Sequence, residues 1–369
     1  QDELVTISGQ TYYLSQSGAM ATGWQRFESD HDIYNELEDD FPNNHDDDTT
    51  VIDDFYLYDD EIWLYFDEHG VAAEDKWVKS DAGLWYYFEN LVMARSDYSY
   101  DIEGNYYGLD ENGAMMVGWV RDNEDSRNDR PTGGDDTKAW YYYQSNGKQV
   151  VVDGGDEGKW KKIDGTWYYF VAENGNGKKN AILTSTYAKI DKEYFYLNGD
   201  GKMATGVTKV AKDTVVSGDA EDIKKDLEKT SDAIDVYFAS NGKVEAGIKG
   251  DSYYIKKATD ENTLQFEKKG KIVSGKPFDG QIKGQLAKNC FVKDGDNLYY
   301  IDKYGEMIKN ESLEITFDET LEEYKIVFGS NGKAIVGKDA GDKVKAGKTY
   351  TVDDAVNTTI LGIDVNVFK

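Results

Sequence analysis

Eight tryptophans carry the most distinctive chemistry in this sequence: Trp24, Trp63, Trp77, Trp85, Trp119, Trp140, Trp160 and Trp167, all within the first 167 of 369 residues. The face of an indole attracts a cation with about 0.5–2 kcal/mol. The same face also stacks against the C–H side of a sugar ring. Up to residue 170, acidic residues outnumber basic ones 38 to 12, against 33 to 30 beyond it. Aromatic clefts in so negative a field favour an amine-bearing or quaternary ammonium group over a neutral glycan. Sugars remain open, because Asp and Asn accept hydrogen bonds from hydroxyls. Packing between structural units is the alternative use of every indole, and the stronger reading for the Tyr and Phe beside them.

The elements that would hold these side chains are repeats. An aromatic cluster, a few polar residues, a turn glycine and a short apolar pair recur, often with a second glycine and a Trp. The clearest copies are YYLSQSGAMATGW from Tyr12, YYGLDENGAMMVGW from Tyr106 and FYLNGDGKMATGV from Phe195. Further copies begin at Trp63, Trp85, Trp140 and Trp167, and weaker ones at Val236, Tyr253, Leu298 and Ile326. Aromatic runs followed by Asn-Gly or Asp-Gly turns predict one β-hairpin per unit. A lone hairpin is marginal in water, so successive hairpins must lean on one another. The expected fold is all-β, an elongated β-hairpin repeat solenoid with irregular loop insertions and at most one short helix. That helix, or a charged hairpin insertion, is expected over Asp219 to Ile234. Insertions are expected at Ser29 to Asp54, Asn123 to Thr137 and Thr208 to Ser231. Three regions are expected: Trp-rich acidic repeats over 1–207, Trp-free repeats over 208–340, and a C-terminal β cap over 341–369.

Composition fits a repeat better than a large globule: 39% of residues are hydrophobic and mean hydropathy is −0.70, yet 14% are aromatic. Disorder is excluded by that aromatic content. A net charge of −29 makes a nucleic-acid partner a poor expectation. No apolar run approaches the length of a membrane span, so membrane insertion is not expected. The chain opens without a charged and apolar leader, so on a secretory reading a signal peptide has already been removed. A single cysteine, Cys290, permits no intramolecular disulfide and reads as a small buried apolar residue.

The strings MATGW (Met20 to Trp24), MMVGW (Met115 to Trp119) and DGTWYYF (Asp164 to Phe170) resemble the repeats of bacterial cell-wall-binding proteins, the choline-binding and glucan-binding repeat superfamily. The resemblance touches about eleven units across nearly the whole chain, unevenly. It implies secretion, a place at a Gram-positive cell surface or wall, and binding to teichoic-acid choline, glucan or other wall polysaccharide without catalysis. It also implies cages walled by Trp24, Trp77, Trp119 and Trp160. Trp63, Trp85, Trp140 and Trp167 open the aromatic strands, and Tyr87, Tyr142 and Tyr169 supply third walls. The later units depart from the pattern, with Val207, Ile248, Lys276 and Lys338 at the Trp position.

Other chemistries find little support. The acidic stretches Glu38 to Asp54 and Glu124 to Asp136 lack the spacing of a calcium loop and read as solvated loops. His31, His45 and His69 have no zinc-site spacing, so no metal and no cofactor are expected. No hydrolase or nucleotide-binding motif appears, and carboxylate pairs arise by chance in so acidic a chain. The second functional reading is a structural stalk or adhesin whose acidic loops contact a protein partner.

Overall fold

The computed structural model describes residues 1–38, 41–42, 61–121, 139–153, 157–172, 179–211, 215–217, 233–257, 259–265, 278–279, 282–316, 323–335 and 355–368. These fall into two units. The first comprises Gln1–Lys161 and Phe170–Ile182, the second Lys162–Tyr169 and Leu183–Lys369.

The strands of the first unit are β1 (Glu3–Ile7), β2 (Gln10–Leu14), β3 (Gly23–Glu28), β4 (Glu61–Phe66), β5 (Lys76–Lys79), β6 (Trp85–Glu89), β7 (Val92–Met93), β8 (Asp97–Ile102), β9 (Asn105–Leu109), β10 (Gly118–Arg121) and β11 (Trp140–Tyr143). β12 (Gly158–Ile163) and β13 (Thr166–Val171) contribute residues to both units. Within the first unit β1–β2, β3–β4, β8–β9 and β10–β11 are two-stranded antiparallel sheets, and β5–β6–β7 is three-stranded. One helix occurs among the described residues, α1 (Asp32–Leu37), capped by His31, whose Nδ1 accepts the Ile33 N–H at 3.1 Å. It lies in the Ser29–Asp54 insertion, whereas the expected helix or charged hairpin over 219–234 falls almost entirely outside the described residues. Of that latter stretch only 233 and 234 are described, and Ile234 begins a strand.

The second unit contains β14 (Thr186–Ile190), β15 (Glu193–Leu197), β16 (Gly206–Val210), β17 (Val215–Ser217), β18 (Ile234–Phe238), β19 (Gly247–Lys249), β20 (Ser252–Tyr254), β21 (Thr259–Asp260), β22 (Thr263–Gln265), β23 (Phe278–Asp279), β24 (Cys290–Asp294), β25 (Asn297–Ile301), β26 (Ser312–Thr316), β27 (Glu323–Val327), β28 (Ala355–Ile360) and β29 (Ile363–Phe368). Hairpins again dominate, but three features break the pattern. β17 adds to β14 in parallel, β22 adds to the β24–β25 hairpin, and the C-terminal hairpin joins a four-stranded sheet ordered β26–β27–β29–β28. Thus part of the expected Thr208–Ser231 insertion is strand: it contains the end of β16 and all of β17.

The hairpins are not joined where the Asn-Gly turns stand. Two-residue turns with positive φ at both positions connect the long strands: Ser8 (55°) and Gly9 (79°), Glu103 (53°) and Gly104 (76°), Asp191 (49°) and Lys192 (70°). This is the twist-matched geometry for a tight hairpin. After eight of the described runs the turn instead closes on one bridge six residues along, as in Leu14 with Met20, Leu109 with Met115 and Leu197 with Met203. A side-chain oxygen organises it, the Ser17 hydroxyl in the first of these and an Asp carboxylate or Asn amide in the other two. Asp110 Oδ1 accepts the Asn112 and Ala114 N–H groups at 2.9 and 2.8 Å, and Asn198 Oδ1 accepts those of Asp200 and Lys202 at 3.0 and 2.9 Å.

The segment after this turn links consecutive hairpins by one backbone bond. In the first unit the N–H groups of Ala72, Met115, Gln149 and Ile182 donate to the carbonyls of Thr11, Trp85, Tyr106 and Trp140, at 2.8, 2.8, 2.7 and 3.0 Å. In the second unit the same bond runs from Met203 to Trp167, Val244 to Tyr194, Leu286 to Asp235, Met307 to Asp251 and Ala334 to Leu298. Each acceptor lies three residues before the end of its aromatic run. Alternation along the run then sends one face inward: in β4, Leu64 and Phe66 are buried and Trp63 and Tyr65 are half-buried. The cores are correspondingly local, one gathering Tyr13, Phe27, Ile62, Leu64 and Phe66, another Ile315, Ile326, Phe328, Val365 and Val367. Cys290 is fully buried, and burial pushes its thiol well above the usual range.

Two positions test this packing. A Cβ on Gly147, at φ +80°, would lie 2.2 Å from Met115 Sδ of the preceding turn. Gly147→Ala is therefore expected to cost about 1–3 kcal/mol in urea denaturation, and Met115→Ala in the same chain to recover only the steric part. The Tyr187 hydroxyl is buried without a hydrogen-bond partner among the described residues. Tyr187→Phe should leave the melting midpoint unchanged or raise stability by about 1 kcal/mol, and a large loss would show a hidden partner.

Candidate functional site: angled aromatic walls between hairpins

Strand register brings the tryptophans into two kinds of pair. Trp24 lies opposite Tyr65, Trp77 opposite Tyr87, and Trp119 opposite Tyr142. Two residues further along the same face, Arg26 lies opposite Trp63, Lys79 opposite Trp85, and Arg121 opposite Trp140. Two residues of strand return a side chain to the same face about 7 Å away. Each of these hairpins thus presents an aromatic pair and then a cation–indole pair.

The aromatic pairs gain a further wall from the following hairpin. Trp24 lies 5.3 Å from Tyr65, 4.9 Å from Tyr86 and 5.6 Å from Phe88, ring centre to ring centre. Trp77 lies 5.2 Å from Tyr87 and 5.0 Å from Tyr107, at 57° and 61°. Trp119 lies 4.9 Å from Tyr142 at 60°, while Phe170 is parallel to it at 6.4 Å. Rings meeting at such angles make walls, and a small cation can touch more than one face. All three tryptophans are half-buried.

Of the other expected site residues, Tyr87 and Tyr142 stand in these walls. Trp63 is half-buried against Trp24 at 6.4 Å, its Nε1 donating to Glu61 at 2.9 Å. Trp85 is 40% exposed beneath Lys79 Nζ at 5.5 Å. Trp140 is half-buried with the Arg121 guanidinium 5.7 Å from its ring centre. Trp167 is 40% exposed beneath Lys162 Nζ at 5.9 Å. Trp160 is half-buried on β12, and Tyr169 is buried on β13. The strand-opening indoles Trp85, Trp140 and Trp167 therefore face cations of the chain itself. Sequence reasoning missed Tyr65, Tyr86 and Tyr107 as walls; Phe88 and Phe170 are fully buried behind Trp24 and Trp119. Register could have found Tyr65, because it pairs each first-strand Trp with the penultimate aromatic of its own run.

Charge is concentrated at the middle cleft. Burial raises the Tyr87 hydroxyl above its ordinary pKa, and the carboxylates of Asp75, Glu89 and Glu103 push it further. Tyr107 is raised by burial and by Glu103. Beside the first cleft, Glu61 bonds Arg26 Nε, and the Arg95 guanidinium donates to the Glu61 carbonyl at 3.0 Å. The Trp63 indole N–H, then the two arginines, hold the Glu61 carboxyl below its usual range.

Among the described residues no group of three or more His, Cys, Asp or Glu side chains could hold a metal. His31 Nε2 lies 3.4 Å from Asp2, and exposed His69 lies 3.7 Å from Glu68. His45 and the two acidic stretches, apart from Glu38 and residues 41–42, lie outside the described residues. No helix among the described residues is long and apolar enough to cross a membrane.

Fold and site together define a class: a hairpin-repeat protein whose successive units create aromatic surfaces between them. The family model described as "Putative cell wall binding repeat" matches residues 2–20, 75–90, 158–176 and 185–203. It is similar to glucosyltransferase-S of Streptococcus mutans, 24% identical over 323 residues, covering 77% of this chain and 19% of that protein. Glucosyltransferase-I of Streptococcus downei is 22% identical, covering 91% and 22%. The chain therefore spans about a fifth of the length of these relatives. Among solved structures, choline binding protein F of Streptococcus pneumoniae matches with a TM-score of 0.45 and 18% identity, over 90% of this chain and 91% of that one. The modular autolysin LytC of the same organism matches at 0.39 and 20% identity, over 78% and 49%.

The Glu61 network yields a pH prediction. A carboxylate with a depressed folded pKa stabilises the fold above its unfolded value, near 4.5, and that stability is lost as pH falls through the folded value. Glu61→Gln should therefore give a flatter fall of urea midpoint between about pH 5 and pH 3 than the parent chain. Parallel curves would remove Glu61 from the acid response.

Proposed function

We propose that the protein is a non-catalytic binding module of the bacterial cell surface, whose angled aromatic walls in the first unit take quaternary ammonium groups, such as choline, on a wall polymer. The observation that carries this reading is the Trp77, Tyr87 and Tyr107 cluster, with Asp75, Glu89 and Glu103 acting on its phenols. The aromatic faces supply cation–π attraction while the carboxylates add long-range attraction and raise the local cation concentration. The family model supports the same class, because one matched segment, 75–90, contains both Trp77 and Tyr87.

A second reading, glucan binding, is favoured by the glucosyltransferase relatives and by Trp85 and Trp167, whose 40% exposure leaves indole surface for a sugar ring. The two readings separate by ligand and by residue. Choline should shift tryptophan emission with an affinity in the millimolar range, and Trp77→Ala should weaken that binding about 10-fold while Trp85→Ala leaves it near the parent value. Retention on immobilised dextran that depends on Trp85 and Trp167, with no response to choline, would establish the glucan reading instead.

A further inference from the structure

In the second unit the hairpin equivalent to β3–β4 is β16–β18, and both of its indole positions are changed. Val207, 55% exposed, lies opposite Tyr237 where Trp24 lies opposite Tyr65. Lys209 lies opposite Asp235 where Arg26 lies opposite Trp63. An aromatic pair nevertheless survives, since Tyr237 meets Tyr254 of the following hairpin at 5.1 Å. Over the Tyr237 ring, 5.5 Å from its centre, stands the ammonium of Lys249. That ammonium is also bonded by the Glu245 carboxylate, and Glu245 is tethered to the site by its own N–H on the Tyr237 carbonyl at 3.2 Å. Asp235 adds a second carboxylate acting on Tyr254, itself ion-paired with Lys209 at 2.9 Å and Lys288 at 3.7 Å.

We propose that the Tyr237–Tyr254 cleft is a latent site for a small organic cation, closed by the side chain of Lys249 acting as an internal ligand. This deepens the reading of the first-unit clefts and rests on it only for the choice of probe. The Tyr237 face and a tethered carboxylate recognise an ammonium, and here the chain supplies its own. The lysine is half-buried and needs no backbone movement to leave. Once it is removed, Glu245 stays at the rim without its partner, which increases the pull on an outside cation.

The test is a count of bound choline per chain by equilibrium dialysis at about 1–10 mM ligand, using the full chain. Lys249→Ala and the better-packed Lys249→Met should each bind about one choline more than the parent. Adding Tyr237→Ala to either should return the count to the parent value. Phenol resonances of the variant should shift on titration, because every tryptophan lies at or before residue 167 and emission would not report this cleft. An unchanged count in both lysine variants, with folding intact by circular dichroism, overturns the proposal. A parent chain that binds no choline, beside a lysine variant that binds one, would support the latent site while rejecting the ammonium reading of the first unit.

Discussion

A two-stranded sheet has no interior, and that constraint governs everything else in this protein. Each hairpin buries one face only by borrowing the next, so the link between hairpins has to be repeated at every step. It takes the form of one backbone bond, from the segment after the Asx-organised turn to a carbonyl three residues before the end of the previous aromatic run. The contact is close enough that the turn glycine lies directly on the preceding bridge residue: a Cβ on Gly242 would stand 2.3 Å from Met203 Sδ. Methionine suits that place because its unbranched, polarisable side chain adapts to small differences in hairpin length.

The same geometry creates the binding surface. The inward residues of an aromatic run are consumed by packing, as Leu64 and Phe66 are, and the outward ones remain partly free. Because hairpins follow at a fixed offset, an outward ring of one meets an outward ring of the next at an angle, as Trp77 meets Tyr107. No dedicated loop is needed to assemble such a cleft. The long connection between β3 and β4 leaves intact the register that places Trp24 against Tyr65.

The periodicity and the burial of Cys290 were legible because each depends on repeat spacing or side-chain size alone. The pairing partner of each aromatic run was not. Asn-Gly chemistry points to a hairpin turn, yet here the tight turns are pairs such as Glu103-Gly104 and Asp191-Lys192, and the Gly-containing turns close single bridges. Third walls such as Tyr86 and Tyr107 depend on the offset between neighbouring hairpins, which local patterning does not encode. The helix α1 was not legible for a related reason. His31 and Asp32 give a brief cap and Ile33, Tyr34 and Leu37 an inward stripe, too short a signal to stand out within the acidic insertion.

Cations of the chain itself discriminate among its aromatic faces. Lys79, Arg121 and Lys162 stand over the strand-opening indoles, whereas no comparable cation stands among the described contacts of the Trp77 cleft, where carboxylates act instead. An indole already facing a guanidinium or ammonium offers less to a second cation, because the two charges repel at short range while sharing one quadrupole. The acidic surplus of the first 170 residues therefore does not make every tryptophan there equivalent. What separates them is whether the residue two places along the strand, opposite the opening indole, delivers its charge to that ring or leaves the neighbouring aromatic pair open.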